Sequence, residues 1–526
     1  MKLSLNGISE REQWQKNGIK LPEFNIAKVR EETEKAPEWV HFGAGNIFRG
    51  FIGSIAQSLL NSGDMKTGIV AVESFDFDII DKIYAPFDNL TLNVVMSKDA
   101  VDAEVLAGIA TGIKSTDYDK LYEIAENPSL KMISFTITEK GYAVKLPDGS
   151  FMGIVESDIN GGPDKPKHTM SIIGAMLYKR YKANAAPVAI VSMDNCSHNG
   201  EKLRAGVVAV IKAWEAAGKV EPEFMEYIDS SVSFPWSMID KITPRPNDSI
   251  RAMLADKGVE DMDPIVTGKG TYIAPFVNAE ALQYLVIEDD FPNGRPPLDK
   301  AGVYLTTRQT VNKAETMKVT TCLNPLHTGL AVFGCLLGYE TIWEEMNDPE
   351  LKGLVEKLAR EGMKVVIDPE IIDPVKFVSE VINERLPNPY MPDAPQRIAT
   401  DTSQKLPVRY GETIKSYIKS EELDASALSA IPTVIAGWFR YLLAVDDNGN
   451  AFTLSADPML GDMQKKLSAV KFGEPETGRG VLKEILKSET LFGTDLCRAG
   501  LYEKIELKFM SMLSGKGAVR NALKEV

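Results

Sequence analysis

Trp39-Val40-His41-Phe42-Gly43-Ala44-Gly45-Asn46-Ile47-Phe48-Arg49-Gly50 is the stretch that decides the fold. A short apolar run enters a turn carrying two glycines, and an amphipathic pattern follows to about Leu60. A second apolar run, Gly68-Ile69-Val70-Ala71-Val72, ends on Glu73. Strand, glycine turn, helix and strand in that order open a dinucleotide-binding unit. Gly43 permits the tight turn. Gly45 lets backbone approach a pyrophosphate, and a helix starting near Asn46 would aim its free N–H groups at that group. Asn46, Ile47, Phe48 and Arg49 are therefore candidate cofactor contacts beside the glycines. Glu73, at a strand end, suits ribose hydroxyls and favours NAD over NADP. Phe48 stands where a third glycine is expected, so the fingerprint is incomplete. His41, inside the first strand, is expected to be a core or loop-facing histidine and not a catalytic one.

Outward from that unit, strands and helices alternate. Leu90–Met96, Lys131–Thr138 and Val188–Met193 read as strands, and helices are expected near Met170–Tyr181 and Glu201–Ala217. Such alternation implies a parallel sheet covered on both faces. The strand Val188–Met193 runs into Asp194-Asn195-Cys196-Ser197-His198-Asn199-Gly200. Ligands bind beyond the carboxyl ends of such strands, which makes Asn195 a candidate substrate amide; a turn or helix cap is the alternative. Asp240 lies in an apolar, Pro-bounded run from Phe234 to Pro244, where a carboxylate needs a partner.

Asn293-Gly-Arg-Pro-Pro297 reads as the domain boundary. An α/β domain over 1–296 is expected to bind the dinucleotide, and 297–526 to form a mainly α-helical second domain. Helical periodicity recurs at Leu351–Glu361, Pro374–Arg385, Asp424–Leu443, Pro458–Lys471 and Gly480–Ser488.

The chain has 526 residues and a formal charge of −15. That balance argues against a nucleic-acid footprint while leaving room for a local basic pocket. Cys196, Cys322, Cys335 and Cys497 form no CxxC pair and suit neither a disulfide framework nor a zinc site. No metal cluster is offered. Met1–Glu31 lacks a signal-peptide core, and no apolar run reaches membrane-span length, so a cytoplasmic protein without a membrane partner is expected.

Two stretches of the second half carry chemistry. The first is Lys318-Val-Thr-Thr-Cys-Leu-Asn324-Pro325-Leu-His327. Asn324 suits an N-cap and Pro325 the next position, which sets Asn324 and His327 at a helix mouth that stabilises a developing oxyanion. Lys318 upstream could hold or take a proton. A capped core helix is the bland alternative. The second stretch, Gln396 to Arg409, carries Arg397, Lys405 and Arg409, which suit a carboxylate or a solvated face.

Together these stretches resemble the mannitol dehydrogenase family of polyol-specific long-chain dehydrogenases. The likeness covers Gly43–Arg49, Thr136–Tyr142, Ser192–Asn195 with Asn199-Gly200, Phe234–Pro244, Met317–His327 and the pair Arg397/Lys405, in one order along nearly the whole chain. It implies an NAD-dependent, zinc-independent oxidoreductase with a Rossmann-type domain, a helical domain and a substrate held between them. It further implies Lys318 as general acid/base, Asn324 and His327 as the groups that orient and polarise the reacting oxygen, and Asn195, Asp240, Arg397 and Lys405 as substrate contacts. Val319 to Leu323 is one residue longer than the family usually has between the lysine and the asparagine, which calls for a one-residue bulge or for a lysine entering from a shifted position. Lys241 stands where an arginine is usual. Overall likeness and the Arg397/Lys405/Arg409 segment favour a keto-uronate reduced to a sugar acid. A ketose or another keto-uronate, an epimerase that retains NAD and a non-catalytic NAD sensor remain as alternatives. The oligomeric state is open.

Overall fold

The computed structural model describes residues 1–526, which divide into two compact units, Met1–Asn312 and Lys313–Val526. The first unit is built on a six-stranded sheet. Its spatial order is Ile109–Lys114, Ile69–Glu73, Trp39–Phe42, Met132–Phe135, Val188–Ser192, Val232–Ser233, with every pairing parallel. Numbered along the chain, the strands run 3-2-1-4-5-6, the doubly wound order whose switch point lies beside the first strand.

Alternate residues of these strands serve two separate cores, because side chains in a strand point to opposite faces. Val40, Phe42, Val70, Val72, Ile133 and Phe135 meet the helices Thr169–Ala183 and Asn199–Ala216 on one face. Trp39, Ile69, Ala71, Met132 and Val191 meet Gly53–Asn61 on the other. The near-continuous apolar runs follow from this burial on both sides.

Two smaller sheets complete the unit. Thr91–Met96 leaves the parallel sheet and pairs with Val101–Leu106 (antiparallel) and Phe276–Glu280 (parallel). Ser237–Asp240 pairs antiparallel with Tyr284–Glu288, which pairs in parallel with Tyr304–Thr306. That last pairing corrects the expected domain boundary at 296/297. The Pro-rich turn is followed by one more strand of the same unit, so the first unit ends at Asn312.

The second unit is helical. Its centre is Asn324–Leu337, buried on nearly all sides, which packs against Pro349–Met363, Pro395–Ala399 and Ala430–Tyr441. The helical run Arg308–Leu337, 30 residues long and interrupted at Leu323, is long and apolar enough to cross a bilayer. With 78% of its most apolar window buried within the protein, it has the character of a core helix. Gly480–Ser488, expected helical, is instead a run of turns that starts at Gly480 with φ +77°.

Candidate functional site

In the first unit the site grows from the glycine turn. Gly43 has φ +102°, and a Cβ there would lie 2.2 Å from the Thr136 carbonyl oxygen. Only glycine fits. Around Gly45 an added Cβ would meet nothing within 4 Å, so the backbone faces open space that a phosphate can approach. The helix begins at residue 46 and takes a π turn at Phe48–Ile52.

Several expected contacts sit deeper than the sequence suggests. Phe48 is buried and stacks on His41 at 4.1 Å between ring centroids, so its side chain belongs to the core. His41 is held by Ser134 Oγ and Thr136 Oγ1 at 2.6 and 2.8 Å, and burial drives its pKa well below the usual imidazole value. Arg49 is buried too; its Nη2 donates to Asn46 Oδ1 and the Ala274 carbonyl, both at 2.9 Å, while Nε and Nη1 have no partner. Burial brings the Arg49 pKa down to about 10.

Glu73 is only 5% exposed. Its carboxylate accepts from the backbone N–H groups of Ala44, Phe75 and Asp76 at 3.0, 2.8 and 3.1 Å. What it visibly does is hold the glycine turn against the end of its own strand. Beside it opens a cleft of about 810 Å³, lined among others by Phe75, Asp78, Ser115, Tyr118 and Lys269. Lys269 Nζ lies 5.3 Å from the Phe75 ring centroid. Except for Lys269, these lining residues follow the ends of the second and third strands, where the sequence reading named only Glu73.

Further along the same sheet, Asn195 is exposed in the turn after Val188–Ser192. Asp194 shapes that turn by accepting from Ile137 N and Thr138 N at 2.9 and 3.0 Å and from the Tyr142 hydroxyl. Asn199, absent from the sequence expectations as a site residue, is buried and donates to Ser237 O at 3.0 Å while accepting from Ser237 N at 3.0 Å. It ties the turn that carries Asn195 to the strand that carries Asp240. Asp240 is the buried last residue of that strand. Lys241 donates to the Glu280 carbonyl and to Gln283 Oε1.

In the second unit the long interval after Lys318 has a definite form. Lys318–Cys322 is a π turn, closed by a hydrogen bond from Leu323 N to the Lys318 carbonyl at 3.2 Å. A π turn takes up one extra residue without breaking the helix, which is the bulge the spacing calls for. Lys318 is 3% exposed at its start. The cap expected at Asn324 moves by one: Leu323 is the N-cap, with no side-chain cap bond, and Asn324 is already helical. Asn324 therefore lies in the first turn of the helix and its amide does not serve as the cap.

His327 follows in the first turn. Its Nε2 is buried without a hydrogen-bond partner and lies 3.5 Å from Asp393 Oδ2. Burial pushes its pKa down to about 4; Arg409, Arg397 and Lys405 act in the same direction, and Asp393 opposes them. The imidazole is neutral at pH 7. Arg397 donates to Asp393 Oδ1, and Lys405 Nζ to the Ile398 carbonyl at 2.7 Å. Burial and then Arg409 lower the Lys405 pKa to about 8. The second unit thus brings together His327, Arg397, Lys405 and Arg409 as expected, and adds Asp393. The signal for Asp393 was an acid four residues before Arg397 on a helix start.

A neutral imidazole amid cations stabilises negative charge developing on an oxygen. No group of three side chains suited to holding a metal ion is present.

Residues 37–300 match the family described as the mannitol dehydrogenase Rossmann domain, and residues 310–513 match the mannitol dehydrogenase C-terminal domain. The chain is 50% identical to D-mannonate oxidoreductase of Thermotoga maritima, over 100% of this chain and 99% of the relative. Among solved structures, it resembles a D-sorbitol dehydrogenase in substrate-free form, with TM-score 0.76 and 26% identity over 94% of this chain and 97% of the other. It also resembles Pseudomonas fluorescens mannitol 2-dehydrogenase in ternary complex with NAD and D-mannitol, with TM-score 0.71 and 25% identity over 100% and 99% of the two chains. With both family domains matched in order over most of its length, the chain belongs to the mannitol dehydrogenase family.

Proposed function

We propose that the protein is an NAD-dependent oxidoreductase that reduces D-fructuronate to D-mannonate. The balance is D-fructuronate plus NADH plus a proton giving D-mannonate plus NAD. The observation that carries the substrate class is His327: a neutral imidazole, its Nε2 buried, amid three cations with a single carboxylate to answer them. Such a site suits an anionic substrate with a reducible carbonyl.

The nicotinamide supplies the hydride when bound. Gly43, Gly45 and the backbone of Asn46 to Arg49 fit its pyrophosphate, and Glu73 keeps that turn in place. Lys318 is the general acid/base: it gives a proton to the oxygen during reduction and takes it back in the reverse direction. Asn324 and His327 donate to the same oxygen and lower the cost of its developing charge. Asn195, Asp240, Arg397 and Lys405 hold the substrate's other oxygens. The NADH preference rests on the family resemblance, and four free cysteines accord with a cytoplasmic setting.

The experiment is a product balance. Purified protein given D-fructuronate and NADH should form one D-mannonate per NADH consumed. Turnover without added NADH, on nicotinamide retained through gel filtration, would identify an epimerase instead.

A further inference from the structure

Three cations stand around His327, and they are not equivalent. Arg397 has a side chain 64% exposed and is committed to Asp393. Lys405 Nζ donates a hydrogen bond to the Ile398 carbonyl. Arg409 has no acid beside it. Its Nη1 donates to Thr328 Oγ1, and that hydroxyl donates to the Asn324 carbonyl at 2.9 Å.

The backbone makes this placement firm. Arg409 lies in the π turn Pro407–Gly411, and its neighbour Tyr410 is buried with its hydroxyl donating to the Pro325 carbonyl at 2.7 Å. Two consecutive residues are therefore pinned to the first turn of Asn324–Leu337, at Pro325 and at Thr328. His327 lies between those two anchors. A half-buried guanidinium without a counter-ion is costly, and one hydroxyl engages a single N–H of its five donors. The planar fork that remains matches a carboxylate in bidentate geometry.

We propose that Arg409, oriented by Thr328, is the receptor for the substrate carboxylate and thereby selects a keto-uronate over an uncharged ketose. The assignment rests on the reading of the site as a keto-uronate reductase. It leaves Arg397 and Lys405 to substrate hydroxyls.

The test compares wild type, Arg409→Gln, Arg409→Lys and Thr328→Val in NADH oxidation with D-fructuronate and with D-fructose at high concentration. Circular dichroism and NADH affinity check that each variant is folded. Wild type without turnover on D-fructuronate refutes the proposed function before any variant is measured. Given that turnover, Arg409→Gln should lower the fructuronate-to-fructose ratio of kcat/KM by roughly a hundredfold. Arg409→Lys keeps charge without the fork and should recover part of the ratio. Thr328→Val should reduce the ratio several-fold with NADH affinity unchanged. If Arg409→Gln does not fold, the lysine and valine variants decide. A ratio that stays at the wild-type value in the folded variants, or equal losses on both substrates, overturns the assignment.

Discussion

His327 gives the sharpest quantitative prediction. Its buried, partnerless Nε2 and the cations around it put the pKa at about 4, against an ordinary 6.5. That lowering corresponds to roughly 3 kcal/mol between the two protonation states. At pH 7 roughly one molecule in a thousand would carry the imidazolium. The sign follows from proton counting. Between about pH 6.5 and 4 the unfolded chain binds a proton that the folded protein refuses, so the native state loses stability as pH falls through that window and keeps it in full above. The protein has four histidines, so carbon-13 histidine labelling gives a tractable spectrum. His327→Gln identifies the signal by its loss. That signal should titrate near pH 4; a midpoint near 6.5 would refute the buried, neutral imidazole and with it the hydrogen-bonding role given to His327.

Three further predictions follow from single groups. Gly43→Ala forces a Cβ to 2.2 Å from a carbonyl oxygen at φ +102°, so NADH binding, read by fluorescence quenching, should be lost at a stability cost of roughly 3 kcal/mol or more. Lys318→Ala should lower kcat by roughly 10²–10⁴-fold with NADH affinity retained, and near-normal kcat would remove it as the acid/base. Lys405 is cationic below its pKa of about 8 and neutral above, so KM for an anionic substrate should rise as pH passes 8, and Lys405→Met should abolish that rise.

The sequence revealed most where the signal is local. Gly43 could be read because a tight turn after a strand has few chemical solutions, and the structure shows a backbone that excludes every other residue. The parallel sheet could be read because burial on both faces leaves apolar runs. The missing third glycine had a cause that spacing cannot show: Phe48 packs on His41 in the core. The extra residue before Asn324 could be counted, but its form as a π turn depends on backbone bonds that no periodicity reports. Asp393 and Thr328 went unrecognised, and the tie from Asn199 to Ser237 went unread, because each acts through a partner distant in sequence or on a neighbouring helix. Thr91–Met96 reads as one more strand in series, and only its pairing with Phe276–Glu280 assigns it to another sheet.

The central claim is that this family member acts on a keto-uronate with NADH. Initial rates of NADH oxidation by the purified protein, measured with D-fructuronate, D-tagaturonate and D-fructose side by side, test it most directly. The account predicts the highest kcat/KM with D-fructuronate. A preference for D-fructose would contradict it and turn the assignment to mannitol 2-dehydrogenase, and a preference for D-tagaturonate would contradict the stereochemical part of the claim.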